Sequence, residues 1–445
     1  MTMDISPRAF PRLVLAAAIL LARPSSALAQ PTPTPRDTLR LGALQDAAVR
    51  ADPRGRQVDL LAAQSALRLR SLAAQRLPTL GVNAQGQYQS TVVSIPFVLP
   101  NDVRPASPPN DSYDAHIDAR ERIYDPTLGV RRGLERAQLA ESQAHVRALL
   151  YTLRENVNEA YFNALLFQHQ RAEVETGITD LEAQLRVAQD RVRLGSALPS
   201  EAAMLEAEVR RRRQSAGEMA ENRDVALVVL GDLTGRAITS ADALALPDLA
   251  DAVASVRARS SELRARPEYE QFARSHDVLE QQRVSAAVQD RPRVSAFGRA
   301  GYGRPGLNPL ASDFNPYWLA GIQVDWSPWN WGTTQRDRDV LSLQGEIVAG
   351  NEAAFTASIR RGVARDLATM DRLARALGED ESIIALRAQV LRETRFRFTE
   401  GVITSAEFVD RETDLLSARL ARAAHRTELA QARARFLTTL GLEVR

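Results

Sequence analysis

The sequence contains no cysteine, and its basic side chains, apart from five histidines, are all arginine. Without cysteine, the chain cannot form disulfides, thiolate metal sites or a lipid anchor on an N-terminal cysteine. The formal net charge is only +2, so the sequence pI of about 9.1 reflects the exclusive use of arginine. A near-neutral chain of this kind does not predict a nucleic-acid-binding surface.

Residues that carry enzyme chemistry are present but are not arranged for it. The histidines are scattered and show no H-E-x-x-H spacing; they are His116, His145, His169, His276 and His425. Gly301, Gly303 and Gly306 lack the lysine and the strand-to-helix context of a phosphate-binding loop, so a hairpin explains them better. The sequence therefore predicts a protein that is not an enzyme and that carries no cofactor or metal.

Long hydrophobic runs are also missing, apart from one at the N-terminus. Two arginines precede an apolar run over 13–22, and a small-x-small site ending at Ala29 follows it. This order predicts a secretory signal peptide at 1–29, with a Pro/Thr linker at 30–37. An N-terminal amphipathic helix is the alternative, which Pro24 disfavours. An exported chain without disulfides must be held together by packing or by oligomerisation.

The longest regular pattern lies between Val130 and Gly195, where apolar residues recur every seven positions. One set is Leu139, Val146, Leu153, Ala160, Phe167, Val174, Leu181 and Ala188; the second is Gln143, Leu150, Val157, Ala164, Arg171, Ile178, Leu185 and Val192, in which only Gln143 and Arg171 break the apolar pattern. Heptads of this length predict one supercoiled helix packed against other helices. At ~1.5 Å per residue it would be on the order of 100 Å long.

Matched spacings indicate a tandem duplication. The pairs are Pro53 and Pro78 with Pro267 and Pro292, 25 residues apart, and Gly195 and Gly235 with Gly401 and Gly441, 40 residues apart. We place the first repeat at 38–240 and the second at 241–445. An offset of 214 residues aligns the prolines and one of 206 aligns the glycines, so the first repeat carries a longer loop, assigned to 94–109.

The two long helices are not expected to be identical. The second set of heptads recurs 206 residues later, at Thr356, Val363, Met370, Leu377, Ile384, Leu391 and Phe398. The first set does not, because the same shift would place Glu352, Asp366 and Asp380 in it. The helices are therefore expected to share one packed face and to differ on another.

Between the helices, each repeat contains two segments in which apolar and polar residues alternate. They lie at 82–89 and 113–120 in the first repeat and at 294–302 and 318–327 in the second. Period-two alternation predicts strands with one apolar and one polar face. Each repeat therefore supplies a hairpin of two strands.

Aromatic residues make up only 5% of the sequence but concentrate around these strands. The group comprises Trp318, Trp326, Trp329, Trp331, Tyr88, Tyr113, Tyr124, Tyr302 and Tyr317. Aromatic girdles and strands of ~9–11 residues are typical of outer membrane barrels, whose apolar face meets lipid. An aromatic-rich soluble sheet is the alternative. Four strands cannot close a barrel, so a membrane sheet would require two or three copies of the chain.

Several short motifs, in their order and spacing, resemble those of TolC-like outer membrane factors. They are Asp52-Pro53, Leu77-Pro78-Thr79-Leu80 before a strand, Arg122-Ile123-Tyr124-Asp125 after one, and Arg397, Gly401 and Glu407 at the end of the second long helix. The resemblance covers essentially the mature chain, in both repeats. It departs at Trp329-Asn330-Trp331-Gly332, where the family usually reads Phe-Asp-Gly-Gly or similar.

The resemblance implies a mainly α fold with a small β part. Long coiled-coil hairpins would form an α-barrel, and each chain would add four strands to a trimeric transmembrane β-barrel. It further implies a homotrimer in outer membrane lipid with a long periplasmic extension. Such a duct conducts substrates delivered by a periplasmic adaptor protein and an inner-membrane efflux or secretion transporter. A periplasmic coiled-coil adaptor is the alternative function.

The helix reversals hold the candidate functional residues. Gly195 and Gly401 interrupt the heptads and suit turns that need positive φ. Glu407 and Asp410 follow at positions three apart, on one face of the next helix. In the resembled family, acids at these positions line the periplasmic entrance. Three copies would form a ring of carboxylates that attracts cations and senses divalent ions.

The first repeat has fewer acidic residues at its reversal, because it keeps Glu201 but has Met204 at the position equivalent to Asp410. Acids near the start of a helix also favour its positive end without any gating role, and this alternative stays open. Arg397 could latch the closed tip to an acid of a neighbouring helix, or simply favour the helix C-terminus. The arginine run at 210–213 is expected to form a solvated helix face.

Overall fold

The computed structural model describes residues 38–93, 107–260, 264–309 and 312–444. The predicted signal peptide, the linker and most of the loop at 94–109 lie outside these residues. The predicted first repeat contains α1 (Leu41–Ala51), a 3-10 helix (Pro53–Arg56), α2 (Gln57–Ala74), β1 (Thr79–Tyr88), β2 (Asp111–Tyr124), α3 (Pro126–Tyr151), α4 (Leu153–Arg193) and α5 (Pro199–Thr234). The second comprises α6 (Ala250–Arg257), α7 (Pro267–Val288), β3 (Arg293–Arg304), β4 (Asn315–Asp325), α8 (Thr333–Thr399) and α9 (Ser405–Thr439).

The predicted single helix from Val130 to Gly195 is divided into α3 and α4 at Thr152. The Thr152 hydroxyl donates to the Leu149 carbonyl at 2.7 Å, and the Glu155 N–H donates to the Thr152 carbonyl at 3.1 Å. These bonds span three residues, so the turn is tighter than an α-helical one. The second repeat has no such interruption, and α8 runs without a break for 67 residues.

The main hydrophobic core lies where α1, α4, α5, α8 and α9 meet. Phe162, Leu230 and Phe436 are almost fully buried there, together with Tyr161. The Tyr161 hydroxyl donates to the Leu39 carbonyl at 3.0 Å, which ties the start of the described chain to this core. A second core near the helix reversals includes Leu181, Leu205, Leu391, Phe398 and Phe408.

Most members of the two heptad sets in the first repeat are buried or half-buried, although Arg171 is exposed. The face on which the two long helices were expected to differ is covered in both. Asp366 and Asp380 of α8 are buried, at 0% and 8% exposure. Asp366 accepts a bond from Arg435 at 2.6 Å, and Asp380 lies 2.7 Å from Nδ1 of His425. The same face is therefore packed in both predicted repeats, through apolar contacts in the first and polar contacts of buried acids in the second.

Candidate functional site

The four strands form one antiparallel sheet in the order β1-β2-β3-β4, so the two predicted hairpins lie side by side. Across the sheet, Val82 pairs with Ile117, Ile117 with Ala300, and Ala300 with Trp318. This row is open to the surroundings, since the exposed fractions of Val82 and Trp318 are 81% and 76%. One face of the sheet is thus apolar and uncovered.

Apolar side chains continue over the length of this face. Along β4 they run from Pro316 to Val324, which at about 3.4 Å per residue spans roughly 27 Å. Outer membrane barrels present an apolar band of ~25 Å to lipid. The other members of the face include Leu80, Ala84, Ala115, Ala119, Val294, Ala296, Ala320 and Ile322.

Aromatic rings border the apolar face at the end of the sheet where β1 leads to β2 and β3 leads to β4. Phe314 stacks on Tyr113 and on Tyr302, with ring centroids 6.0 and 5.7 Å apart. Tyr88 ends β1 on the same side, and Trp318 lies three residues into β4. This arrangement has the form of one aromatic girdle.

At the helix end, the exposed aromatic residues after β4 are Trp326, Trp329 and Trp331. A β-bulge adds Tyr124 to them. Arg122 pairs with Ser295 and Tyr124 with Val294, so the strand gains one residue between the two pairs. The bulge moves Tyr124 from the polar to the apolar face, where Val294 lies.

The opposite face carries a network of paired charges. Nδ1 of His116 contacts Asp114, and its Nε2 lies 3.0 Å from Asp118. Asp118 also accepts a bond from Arg299 at 2.7 Å, and Tyr317 donates to Asp114. Tyr317 therefore belongs to the polar face and not to a girdle. The face has the polar, hydrogen-bonded character that contact with water requires.

Two aromatic rings on the polar face cover glycines of the neighbouring strand. Tyr317 lies opposite Gly301, and Phe297 lies opposite Gly321. A Cβ on Gly301 would be 2.7 Å from the Tyr317 ring, and one on Gly321 would be 2.8 Å from the Phe297 ring. Each glycine thus leaves room for the ring that packs on it, which restores contact where a strand lacks a side chain.

The helix reversals turn at Gly195 and Gly401, whose φ angles are 72° and 75°. At the second reversal, the Val402 N–H donates to the Arg397 carbonyl at 2.9 Å, and the first reversal has the same bonding. In this Schellman pattern the residue of positive φ turns the chain back, so that the N–H groups that follow the helix donate to its last carbonyls.

Glu407 and Asp410 lie on the exposed side of α9, directly after the second reversal. The Thr404 hydroxyl caps this helix and accepts a bond from the Glu407 N–H at 3.3 Å. The next acid along this side, Asp414, is paired with Arg387 at 2.7 Å, whereas Glu407 and Asp410 form no ion pair with any described residue. Because the dipole effect fades after the first turn, it accounts for Glu407 but not for Asp410.

The first reversal presents less charge. Glu201 is half-buried in the first turn of α5, and Met204 is exposed. Arg397 is exposed in the last turn of α8 and has no ion-pair partner within the described ranges. It therefore remains available to a neighbouring chain.

Arg191, which sequence reasoning missed, joins the two reversals. Its guanidinium donates to the Phe398 carbonyl at 2.9 Å and lies over the Phe398 ring. A Cβ on Gly401 would be 2.7 Å from this guanidinium. Glycine at 401 thus provides both the positive φ and the space for Arg191. No local signal marks Arg191, because its partner lies 207 residues away in the sequence.

The expectation of a solvated arginine run at 210–213 was wrong for Arg212, which is 1% exposed. It donates to Glu208 at 2.8 Å and to Glu412 of α9 at 3.0 Å. Gly177 of α4 gives it room, since a Cβ there would lie 2.7 Å from Nη1 of Arg212. Burial raises the pKa of the Glu412 carboxyl, and Arg212 offsets this only in part. The other three arginines of the run are exposed, as expected.

Two features are absent from the residues that the structure describes. None of their helices is long and apolar enough to cross a membrane. They also contain no group of three or more His, Cys, Asp or Glu side chains suited to holding a metal ion.

No protein-family model matches the sequence, and no curated protein does. Solved structures do match. The channel-forming protein CusC is similar over 92% of this chain and 93% of that chain, with a TM-score of 0.68 and 16% identity. The chain has the fold of an outer membrane channel. VceC of Vibrio cholerae, an outer membrane protein, gives 91% and 97% coverage, a TM-score of 0.64 and 14% identity.

The open-state outer membrane channel MtrE of Neisseria gonorrhoeae is similar over 91% of this chain and 90% of that chain, with a TM-score of 0.62 and 18% identity. The resemblance that short motifs indicated is thus confirmed as a likeness of fold. The predicted class is confirmed with it: long helical hairpins and a small four-stranded antiparallel sheet.

Proposed function

We propose that the protein is an outer membrane channel, the exit duct of a tripartite efflux or type I secretion system, and that it conducts substrates passively. The observation that carries this is the uncovered apolar sheet face, edged by aromatics, beside very long helices. At ~1.5 Å per residue, the 67 residues of α8 span about 100 Å. A periplasmic adaptor would have no need of a wide apolar face open to its surroundings.

The sheet ends at β1 and β4, each of which has one unpaired edge. Lipid tolerates no open sheet edge, so a membrane-embedded sheet must be closed by further copies of the chain. By resemblance we propose three copies, which gives twelve strands and a homotrimer.

The internal duplication indicates how the copies meet. In the second repeat, α7 packs on α8 of the same repeat and also on α3 of the first repeat. Its counterpart in the first repeat is α2, which among the long helices packs on α3 alone. The missing contact is that of α2 with the first part of α8, and a second copy would supply it. Both surfaces are apolar and exposed: Leu60 and Leu67 on α2, and Leu343 and Ile347 on α8.

The α3–α7 contact therefore serves as the template for the contact between copies. In it, the Ser275 hydroxyl donates to Glu141 at 2.6 Å. The offsets of 214 and 206 residues place Leu61 and Ile347 at the equivalent positions. Because the chain has no cysteine, a double variant Leu61→Cys, Ile347→Cys should oxidise to covalent dimers and trimers in outer membrane fractions. Electrophoresis with and without reductant measures this.

Two matched variants control that experiment. The pair Glu141→Cys, Ser275→Cys should close within one chain and give no ladder. The pair Leu61→Cys, Leu386→Cys, with the second cysteine on another exposed position of α8, should not cross-link. Recovery of the unmodified protein as a soluble periplasmic monomer would contradict the channel itself.

The entrance is proposed to lie at the helix reversals, with Glu407 and Asp410 as its charged lining and Glu201 as a minor contributor. Their lack of partners among the described residues supports this role. Exposed apolar residues at the tips would offer the adaptor protein a docking surface; they are Leu194, Leu198, Phe396 and Val402. Arg397 and Arg191 would help to hold the closed tip.

Replacing Glu407 and Asp410 together with alanine should raise single-channel conductance several-fold and weaken block by divalent cations. The block should weaken because each chain loses two carboxylates that bind divalent cations. The conductance should rise because the smaller alanine side chains widen a narrow opening. Planar-bilayer recordings with and without a divalent salt measure both effects. Met204→Asp, which adds an acid at the equivalent position of the first repeat, should strengthen the block. Unchanged conductance in the double alanine variant would remove the gating role and leave the dipole explanation for Glu407 alone.

A further inference from the structure

A cavity of about 210 Å³ lies where the sheet passes into the long helices. Strands β2, β3 and β4 and the first turns of α3 line it. Its charged members are Arg120, Arg122, Arg131, Arg293, Asp125 and Asp325. We call it the arginine cavity. Four guanidinium groups against two carboxylates leave it with a net positive charge.

The carboxylates are already engaged. Asp125 caps α3, where it accepts bonds from the Thr127 N–H at 3.0 Å and the Thr127 hydroxyl at 2.7 Å. Arg122 approaches Asp125 at 3.8 Å, and Asp325 accepts a bond from Gln323 at 2.9 Å. The positive charge of the cavity is therefore only partly neutralised.

The remaining arginines lie outside ion-pair distance of any acid of the described residues. They are Arg120, Arg131 and Arg293, and all three are exposed. Arg293 still attracts Asp125 electrostatically. Three exposed guanidinium forks around one small cavity are an arrangement suited to bidentate binding of oxyanions.

The arginines of the strands lie on the polar side of the sheet. Arg120 pairs with Phe297, and Arg293 with Asp325, in the rows whose side chains form the polar face. The bulge after Arg122 keeps that arginine on the polar face while it sends Tyr124 to the apolar face. In the proposed channel the polar face meets water, so an anion would reach the cavity as a solute and not as a lipid headgroup.

We propose that the arginine cavity is a binding station for multivalent oxyanions, phosphates or carboxylates, inside the duct at the level where barrel and helices join. The proposal rests on the proposed channel function. Three copies would bring nine exposed guanidinium groups to one level of the lumen. The duct would then hold anions here, whereas its acidic entrance favours cations.

The test is block of chloride current by pyrophosphate in planar bilayers of neutral lipid. Wild type should be blocked, and Arg120→Gln, Arg131→Gln, Arg293→Gln together should weaken the block by at least about tenfold. The matching lysine variant should keep more of the block, because it retains the charge but loses the fork. Arg136→Gln, an exposed arginine of α3 outside the cavity, is the control and should behave as wild type.

Each other outcome decides against one proposal. A conducting wild type that pyrophosphate does not block overturns the oxyanion station and leaves the channel standing. Equal losses in the triple variant and in Arg136→Gln overturn it as well, since general surface charge would then explain the block. A trimer that conducts no ions at all contradicts the channel, and with it the station.

Discussion

Replacing Arg212 with alanine is expected to lower the free energy of unfolding by about 3–5 kcal/mol, because it leaves a buried carboxylate without its partner. Glu412 is 2% exposed and takes its bond from Arg212 at 3.0 Å. Burial alone would also raise the pKa of Glu208, but bonds from Arg211 and Arg212 outweigh it and lower that pKa. Thermal or denaturant unfolding followed by circular dichroism measures the loss.

The same arginine run supplies the control. Arg213→Ala removes an exposed ion pair with Glu182 and should cost no more than about 1 kcal/mol. The apolar pair Arg212→Met, Glu412→Leu should recover most of the stability, since a well-packed apolar pair can replace a buried ion pair. An Arg212→Ala variant no less stable than Arg213→Ala would show that water reaches Glu412.

The pH dependence of Arg212→Ala has a defined sign. The pKa of Glu412 is raised in the folded protein, so folding favours the protonated carboxyl. Stabilisation from this group is therefore present at low pH and is lost as the pH rises through the raised pKa. Removing Arg212 removes the charge that opposes this shift, so the variant should regain stability as the pH falls towards the ordinary pKa of a glutamate.

Replacing Gly301 with valine is expected to prevent assembly of the sheet. The added side chain would meet His116 and the Tyr317 ring, both 2.7 Å from the new Cβ. Moving that ring breaks its bond to Asp114 and the packing of two neighbouring strands. Overpacking alone costs about 1–3 kcal/mol, and the lost polar contacts add to it. The yield of SDS-resistant oligomer in outer membranes measures the effect.

Gly298→Ala is the matched control on the same strand. Its Cβ would point to the apolar face, where the nearest atom is 4.0 Å away. Normal oligomer yield is expected from it. If Gly301→Val assembles equally well, the ring of Tyr317 does not depend on the glycine opposite.

The sequence predicted the elements well where burial follows a regular period. The heptads between Val130 and Gly195 and the alternation in 318–327 each report which side of a backbone is covered. A period carries no information about a single residue that departs from it. The break at Thr152 and the bulge before Tyr124 therefore appeared only in the structure.

The partner of a buried charged side chain was harder to predict than the helix face on which that side chain lies. Asp366 and Asp380 interrupt the first heptad set in the second repeat, so the sequence predicts that the long helices differ on that face, since acids are seldom buried without a partner. Their partners Arg435 and His425 lie on α9, outside any local pattern. Arg212 was misread for the same reason, since a run of arginines does not show which member meets Glu412.

The residues of the candidate site also differ in how far the sequence predicts them. Spacing alone placed Gly401, Glu407 and Asp410 together, since they are close in sequence. The network around His116 joins residues from β2, β3 and β4, and the arginine cavity likewise depends on strand register. Such sites require the fold before they can be seen.

The contrast between apolar and charged packing has a mechanical consequence. At Ala160 and Val174 the first repeat is held by apolar contacts, which cost ~25 cal/mol per Å² when exposed. At the equivalent Asp366 and Asp380, the second repeat is held by polar contacts with Arg435 and His425, whose members regain hydration when separated. Separating α8 from α9 at these two positions would therefore expose less apolar surface than separating the first repeat at Ala160 and Val174. In the proposed trimer, three polar contacts of this kind would alternate with three apolar ones.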